Sequence, residues 1–141
     1  MNDAHYLKSA KECSLKSDYT GYNRASIGCV AVYKGSILAK GWNTDRTHTD
    51  QAKYNKWRFK ASGNSYMPEK MHAEQMCISK IKYLDIDFSR VRLYIYREHK
   101  NGDLAMARCC PSCIAAAKDL GIETIVYTTP DGFAIEKLRS L

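Results

Sequence analysis

The sequence has no long apolar run, and no stretch approaches the ~18 residues that a membrane-spanning helix needs. The first 15 residues also lack the apolar segment of a secretory signal, so we expect a soluble, cytoplasmic protein with no membrane partner. No internal repeat and no low-complexity tract is present, which excludes a repeat architecture. A chain of 141 residues is about one domain's worth, so residues 1–141 are predicted to form a single domain.

The sequence is rich in cysteine and in positively charged residues. The six cysteines are Cys13, Cys29, Cys77, Cys109, Cys110 and Cys113. Three of them lie within five positions of one another, and in a chain without an export signal such crowding favours metal binding or catalysis over a disulfide framework. The net charge of +7 favours anionic partners such as nucleotides, phosphates or nucleic acid, although a basic surface without a specific partner explains it equally well.

Hydrophobic periodicity outlines the secondary structure. Apolar residues at helical spacing predict helices over residues 3–16, 71–84 and 111–120. Extended patterns predict strands at residues 27–33, 37–42, 90–96 and 122–127. The strand–helix–strand order from 90 to 127 is a crossover that places two strands parallel, so the fold class is α/β. Alternation over residues 133–138 predicts a terminal hairpin, and a short helix over 132–140 is the alternative.

Residues 44–70 form a polar, basic and aromatic insertion, with a helix predicted near residues 49–61. Within it, residues 53–60 interleave cations with aromatics, a combination that can bind single-stranded nucleic acid. An amphipathic helix that covers the core with its aromatics accounts for the same pattern, and we favour it. Arg46 and His48 could meet a 5′-phosphate, but a solvated loop explains them as well.

Two short motifs carry the chemistry. His72-Ala73-Glu74 lies at the start of the second predicted helix, and Cys110-Pro111-Ser112-Cys113 lies at the start of the third. The positive end of a helix lowers the pKa of a thiol and so favours the thiolates that bind zinc. His72, Cys110 and Cys113 would leave the fourth position of a tetrahedral zinc to water, which is the arrangement of a catalytic site. Two thiolates cancel the charge of the ion, so the bound water should be less acidic than at an all-histidine site and a nearby base becomes useful. Glu74 suits that role.

The two motifs, separated by thirty-five residues, resemble those of the cytidine deaminase-like superfamily, and the resemblance extends from residue 27 to residue 127. It implies a three-layer α/β fold with a central mixed sheet of about five strands and helices on both faces. It also implies one catalytic Zn²⁺ and hydrolytic removal of an exocyclic amine from a nucleobase. Zinc-bound water would attack the amine-bearing ring carbon, Glu74 would move the protons, and ammonia would leave.

One position departs from the family, which usually has proline before its first cysteine where this chain has Cys109. Cys109 could compete with Cys110 as a ligand, although only Cys110 keeps the two-residue gap to Cys113. A closed zinc site with Cys109 or His99 as the fourth ligand is the structural alternative, and it would leave Glu74 without a function.

Candidate substrate-binding residues follow from the same resemblance. Asn43 comes after the first predicted hairpin, where related deaminases have an asparagine that contacts the sugar or the base. A turn asparagine that satisfies its own backbone is the alternative. The resemblance also implies that the backbone amide of Ala73 binds a base carbonyl, as helix-terminal N–H groups can. Arg97 ends the central strand near the metal ligands and could line the pocket, but the sequence favours a surface arginine.

Three functions are compatible with these residues. The leading hypothesis is a deaminase of a free, cytosine-type nucleoside or nucleotide. A deaminase of cytosine or adenine in single-stranded DNA or RNA is the alternative, favoured by the charge and by the basic aromatic insertion. A non-catalytic zinc module that binds nucleic acid is the third, and Glu74 argues against it. Similar enzymes form dimers or tetramers that complete one another's sites, so the resemblance implies a homo-oligomer.

Overall fold

A computed structural model of the chain describes residues 3–17, 26–47, 70–99 and 101–138. The helices in these ranges are α1 (Asp3–Ser14), α2 (Ala73–Ile81), α3 (Pro111–Leu120) and a short 3-10 helix (Phe88–Arg90). The strands are β1 (Ser26–Tyr33), β2 (Ser36–Trp42), β3 (Thr44–Thr47), β4 (Lys70–Met71), β5 (Val91–Glu98), β6 (Thr124–Thr129) and β7 (Gly132–Lys137). None of the helices within the described ranges has the length and apolar character needed to cross a membrane.

Five strands form one mixed sheet in the order β2-β1-β5-β6-β7. β1 pairs antiparallel with β2 and with β5, β6 runs parallel to β5, and β7 returns antiparallel to β6. α3 connects β5 to β6, as a parallel pair requires. The predicted strand–helix–strand unit is therefore confirmed. The terminal hairpin is confirmed as well, because residues 132–137 form β7 rather than a helix.

Side-chain alternation along the strands divides the core into two layers, one on each face of the sheet. The face under α1 buries Val30, Val32, Tyr94, Tyr96 and Val126. The face under α2 and α3 buries Cys29, Ala31, Leu93, Ile95 and Ile125. We call these the α1 face and the α2–α3 face. The predicted three-layer α/β fold, with helices on both faces of a five-stranded mixed sheet, is confirmed.

Two glycines allow helices to contact the sheet backbone directly. A Cβ at Gly28 on β1 would overlap the Ala10 carbonyl oxygen of α1. A Cβ at Gly41 on β2 would overlap the Ala73 carbonyl oxygen of α2. A side chain at either position would force its helix away from the sheet. Gly41 therefore holds the first turn of α2 close to β2.

The insertion at residues 44–70 begins and ends as strands, because β3 and β4 pair antiparallel with each other. Met71 belongs to β4, so α2 begins at Ala73, two residues later than the sequence predicted. The helix predicted near residues 49–61 and the basic aromatic tract at residues 53–60 lie outside the described residues.

The parallel pairing of β5 with β6 ends at Ile95 and Tyr127, and the chain that follows β5 hydrogen-bonds to both strands beyond that point. It turns back so that Leu104 bridges to Glu98, and the Ala105 amide donates to the Arg97 carbonyl at 3.0 Å. The Thr128 hydroxyl of β6 donates to the Ala105 carbonyl at 2.8 Å. The segment that leads into α3 therefore starts from the carboxyl edge of the parallel strands, where open α/β sheets place their ligands.

Candidate metal centre

The two sequence motifs meet because each begins a helix. His72 is the N-cap of α2, with φ −86° and ψ 155°, and Cys110 is the N-cap of α3, with φ −69° and ψ 164°. Neither side chain caps its own helix. Pro111 opens α3 at a position where the missing amide hydrogen costs no helical hydrogen bond. Both motifs lie at the start of a helix, as the sequence predicted, and the two helix N-termini meet at one site.

Three ligand atoms lie at the mutual spacing of a tetrahedral zinc site. The Nδ1 atom of His72 lies 3.4 Å from Cys110 Sγ and 3.3 Å from Cys113 Sγ, and the two sulfurs are 3.6 Å apart. Zinc bonds of about 2.3 Å to sulfur and about 2.0 Å to nitrogen require S–S edges near ~3.8 Å and S–N edges near ~3.5 Å. The three side chains therefore fit zinc, and among the described residues they are the group that could hold a metal ion.

The surroundings of Cys110 favour its thiolate. The hydrogen bond between Cys110 and Cys113 is the main cause that lowers the pKa of Cys110 to about 3, and the neighbouring His72 ring lowers it further. The same hydrogen bond, together with full burial, raises the pKa of Cys113 well above its usual value. Because only a thiolate binds a metal, Cys113 would have to lose its proton for zinc to bind here.

Glu74 is buried beside the ligands with one oxygen unpaired. The residue is 5% exposed, and its Oε1 atom has no hydrogen-bond partner. Burial raises the pKa of the Glu74 carboxyl, against the opposing effects of the His72 ring and of a hydrogen bond with Cys109. A carboxyl group with a raised pKa and an unpaired oxygen beside a metal site can both accept and donate protons.

Cys109 does not take the place of Cys110 as a ligand. It is 2% exposed and contacts Glu74, whereas the three-ligand group contains Cys110. His99 is exposed just beyond β5 and joins no ligand group in the described part of the chain. The described residues thus form a three-ligand centre rather than the closed four-ligand alternative.

The chain just before Cys110 is held by β6 and β7. The Ala107 amide donates to the Thr128 carbonyl at 2.9 Å. Arg108 then donates to both carboxylate oxygens of Glu136, each at 2.8 Å. The sequence analysis missed this anchor because Arg108 and Glu136 are 28 positions apart and neither lies in a motif.

Asn43 connects β1 to the end of α1. Its Oδ1 accepts hydrogen bonds from the Ile27 amide at 2.9 Å and from the Ser17 hydroxyl at 2.6 Å. Its own backbone amide donates to the Ile27 carbonyl at 3.2 Å. The side chain therefore bridges separate elements, which differs from the turn role considered for it. Its contact with a substrate stays a prediction.

The other candidate substrate-binding residues lie in different surroundings. Ala73 is fully buried as the first residue of α2, so its amide belongs to the turn whose N–H groups have no intrahelical partner. Its contact with a base carbonyl also stays a prediction. Arg97 does not occupy the surface position that the sequence favoured, since its side chain is half-buried and its Nε is buried. The side chains of Arg46 and His48 lie outside the described residues.

Solved structures of deaminases share the fold. The apo dCMP deaminase from cyanophage S-TIM5 aligns with a TM-score of 0.58 and 23% identity, over 89% of this chain and 80% of that chain. The same enzyme in complex with dCMP and dUMP aligns with a TM-score of 0.55 and 21% identity, over 88% and 78%. The cytidine deaminase from Burkholderia pseudomallei aligns with a TM-score of 0.64 and 16% identity, over 98% and 94%.

Sequence comparison identifies the family. Comparison with curated proteins finds no significant match. Residues 1–129, however, match the cytidine and deoxycytidylate deaminase zinc-binding region, which covers most of the 141 residues. This match includes all three ligands of the candidate centre and Glu74. The chain therefore belongs to the cytidine and deoxycytidylate deaminase family of zinc-dependent hydrolases.

Proposed function

We propose that this protein hydrolyses the exocyclic amine of a cytosine-type nucleoside or nucleotide and releases ammonia. The observation that carries the proposal is the buried, unpartnered Oε1 of Glu74 beside His72, Cys110 and Cys113. A buried carboxylate oxygen without a partner lowers stability, and proteins retain such groups chiefly where they act on a ligand. Proton transfer gives this oxygen a function.

In the proposed reaction, His72, Cys110 and Cys113 would hold a zinc ion, which would supply the Lewis acidity that makes water a nucleophile near neutral pH. Glu74 accepts a proton from the attacking water and donates it to the ring nitrogen beside the amine-bearing carbon. Glu74 then moves the proton of the new hydroxyl to the departing amine. One water is consumed, one ammonia leaves, and the cytosine ring becomes a uracil ring without any oxidant or reductant.

Asn43 and Ala73 are proposed to orient the base and sugar. Gly41 seats the first turn of α2 against β2, and Asn43 follows two residues later, so both candidates lie at one corner of the sheet. The Ala73 amide would bind the base carbonyl, as N–H groups at a helix N-terminus do. Asn43 would contact the sugar or the base.

The substrate class is proposed from the relatives. The cyanophage enzyme was solved with dCMP and dUMP, and the Burkholderia protein is a cytidine deaminase. The alternative of a polynucleotide substrate is favoured in the sequence by the net charge and by the basic aromatic insertion. The charge attracts a free nucleotide as well, and the tract at residues 53–60 lies outside the described residues, so no structural observation favours this alternative. A cytoplasmic location and a homo-oligomeric assembly complete the proposal.

The test is a substrate panel with zinc-loaded protein. The panel contains cytidine, deoxycytidine, their monophosphates, guanine and single-stranded oligonucleotides, and ammonia release and product mass are measured. Turnover of a cytosine nucleoside or nucleotide supports the proposal. Turnover confined to guanine or to oligonucleotides contradicts it.

Glu74→Gln tests the proton-transfer role, because it removes the carboxylate and keeps the side-chain volume. We expect turnover to fall by about 10²- to 10⁴-fold, the contribution that general acid–base catalysis makes. Zinc content by elemental analysis should equal that of the parent. Glu123→Gln makes the same chemical change at an exposed position and should leave turnover unchanged. Unchanged turnover in the Glu74 variant would reject the assignment.

A further inference from the structure

Arg97 has a buried N–H group that the protein leaves unpaired. The side chain is half-buried, and Nε is buried without a hydrogen-bond partner. The guanidinium does reach the Met106 carbonyl, but the Nη1–O distance of 3.4 Å is long for a hydrogen bond. None of the ion pairs among the described residues includes Arg97. A buried guanidinium nitrogen without an acceptor is costly, so its retention calls for an explanation.

Strand register places Arg97 near Asn43, one of the candidate substrate-binding residues. Arg97 pairs with Ile27 across β5 and β1, and Ile27 exchanges hydrogen bonds with Asn43. Two residues along β5, Ile95 packs in the core of the α2–α3 face. Because side chains two apart on a strand share a face, Arg97 lies on the α2–α3 face at the carboxyl end of β5. This is the edge from which the chain leads to Cys110.

The backbone of Arg97 is held from two sides. Its amide donates to the Thr128 hydroxyl oxygen at 3.2 Å, and its carbonyl accepts from the Ala105 amide at 3.0 Å. Thr128 is itself 2% exposed, so this junction is part of the core. The strand end that carries the Arg97 side chain is therefore fixed in position.

The guanidinium chemistry identifies the ligand class. A guanidinium is planar, always charged and presents several N–H donors, so its best partners are anions with several acceptor oxygens. In a nucleotide the group that meets this description is the phosphate. The net charge of +7 also attracts such an anion to the protein.

We propose that Arg97 binds the 5′-phosphate of the substrate and thereby makes a nucleoside monophosphate, rather than a nucleoside, the preferred substrate. This inference rests on the proposed function, because it concerns the substrate of the same site. Arg97 determines specificity and takes no part in proton transfer.

Arg97→Met is the informative variant, because it removes the charge and keeps an apolar stem. We expect the KM for dCMP to rise by about 10- to 100-fold, as for the loss of charge-assisted hydrogen bonds. The KM for deoxycytidine and the kcat for both substrates should stay unchanged. Arg90→Met is the matched control, because Arg90 lies at the opposite end of β5 with 65% of its side chain exposed. This control should leave both substrates unaffected.

A binding measurement separates this inference from the proposed function. Calorimetry with zinc-loaded parent protein should show tighter binding of dUMP than of deoxyuridine, and Arg97→Met should bind the two equally. Equal weakening of both ligands would overturn the inference and assign Arg97 to positioning the segment at residues 104–107. A parent protein that prefers deoxyuridine, or an oligonucleotide, over dUMP would overturn it as well. If no substrate is deaminated, the proposed function fails, whereas the dUMP measurement still tests Arg97 because it needs no reaction.

Discussion

The two faces of the central sheet differ in whether their described residues contain buried polar atoms without hydrogen-bond partners. On the α1 face, the Tyr94 hydroxyl donates to Asp3 Oδ1 at 2.5 Å, and the Tyr96 hydroxyl donates to Glu98 at 2.7 Å. In the described part of the chain, the buried side-chain atoms without a partner are Glu74 Oε1, Gln75 Oε1 and Arg97 Nε. All three belong to α2 or to the α2–α3 face of β5.

This difference does not come from packing. Both faces bury their apolar residues almost completely, and each uses a glycine, Gly28 or Gly41, to bring a helix onto a strand. The faces differ in that the unpaired buried polar atoms of the described residues all lie on the α2–α3 side. Unsatisfied buried groups lower stability, and proteins retain them chiefly at functional sites. Their confinement to one side assigns function to the α2–α3 face and a stabilising role to the α1 face. Glu74 and Arg97 have proposed functions, and nothing in the structure explains Gln75.

The largest effect should come from removing one buried thiol on each face. Cys113→Ala removes a ligand. Loss of an outer-shell partner lowers metal affinity by about 10- to 100-fold, and we expect the zinc affinity of this variant to fall further than that. Ammonia release should be lost with the metal. Cys13→Ala removes a thiol that is 2% exposed on the α1 face, and this variant should keep both zinc and turnover. If elemental analysis shows equal zinc loss in the two variants, the proposed difference between the two faces is wrong.

A smaller effect is expected on stability. Here the substitution on the α1 face should cost more than the substitution on the α2–α3 face. Tyr94→Phe removes the hydroxyl that pairs with Asp3, and should lower the free energy of unfolding by about 1 kcal/mol. Glu74→Gln replaces a buried carboxyl group whose Oε1 has no partner, so the metal-free variant should be as stable as its parent or more stable. Urea unfolding measures both. A Glu74 variant less stable than the Tyr94 variant would contradict the division of roles between the faces.

The smallest effect concerns a paired charge on the α2–α3 face. Arg108, with lesser effects from Tyr127 and Lys118, holds the pKa of the Glu136 carboxyl below its usual value. A depressed folded pKa means that the pair stabilises the protein above the unfolded value of ~4.3, and that this contribution is lost as pH falls through the folded value. Because the pair is partly exposed, Glu136→Gln should cost less than about 1 kcal/mol at neutral pH.

Unfolding of the parent and of Glu136→Gln at pH 7 and below pH ~4 measures this contribution. The difference between the two proteins should shrink at the lower pH. A difference that does not change with pH would mean that the variant acts through packing rather than through the ion pair.

The metal ligands could be predicted because their signal is local. A histidine that opens one helix and two cysteines that open another leave their residue types and spacing in the sequence. The strand–helix–strand unit has an equally local signal in its periodicity. Arg97 has none, because a charged residue at a strand end has the same pattern whether it faces solvent or a site. Cys109 was ambiguous for the same reason, since its burial beside Glu74 depends on a residue 35 positions away.

The sequence by itself determined the α/β class, the order of helices and strands, and the identity of the residues that can hold zinc, because periodicity and ligand spacing are properties of neighbouring residues. Only the tertiary structure decided which buried polar atoms have partners, because each hydrogen bond depends on residues brought together from distant parts of the chain. The anchoring of Arg108 by Glu136, the exclusion of Cys109 from the ligand group and the unpaired Nε of Arg97 all belong to this second kind.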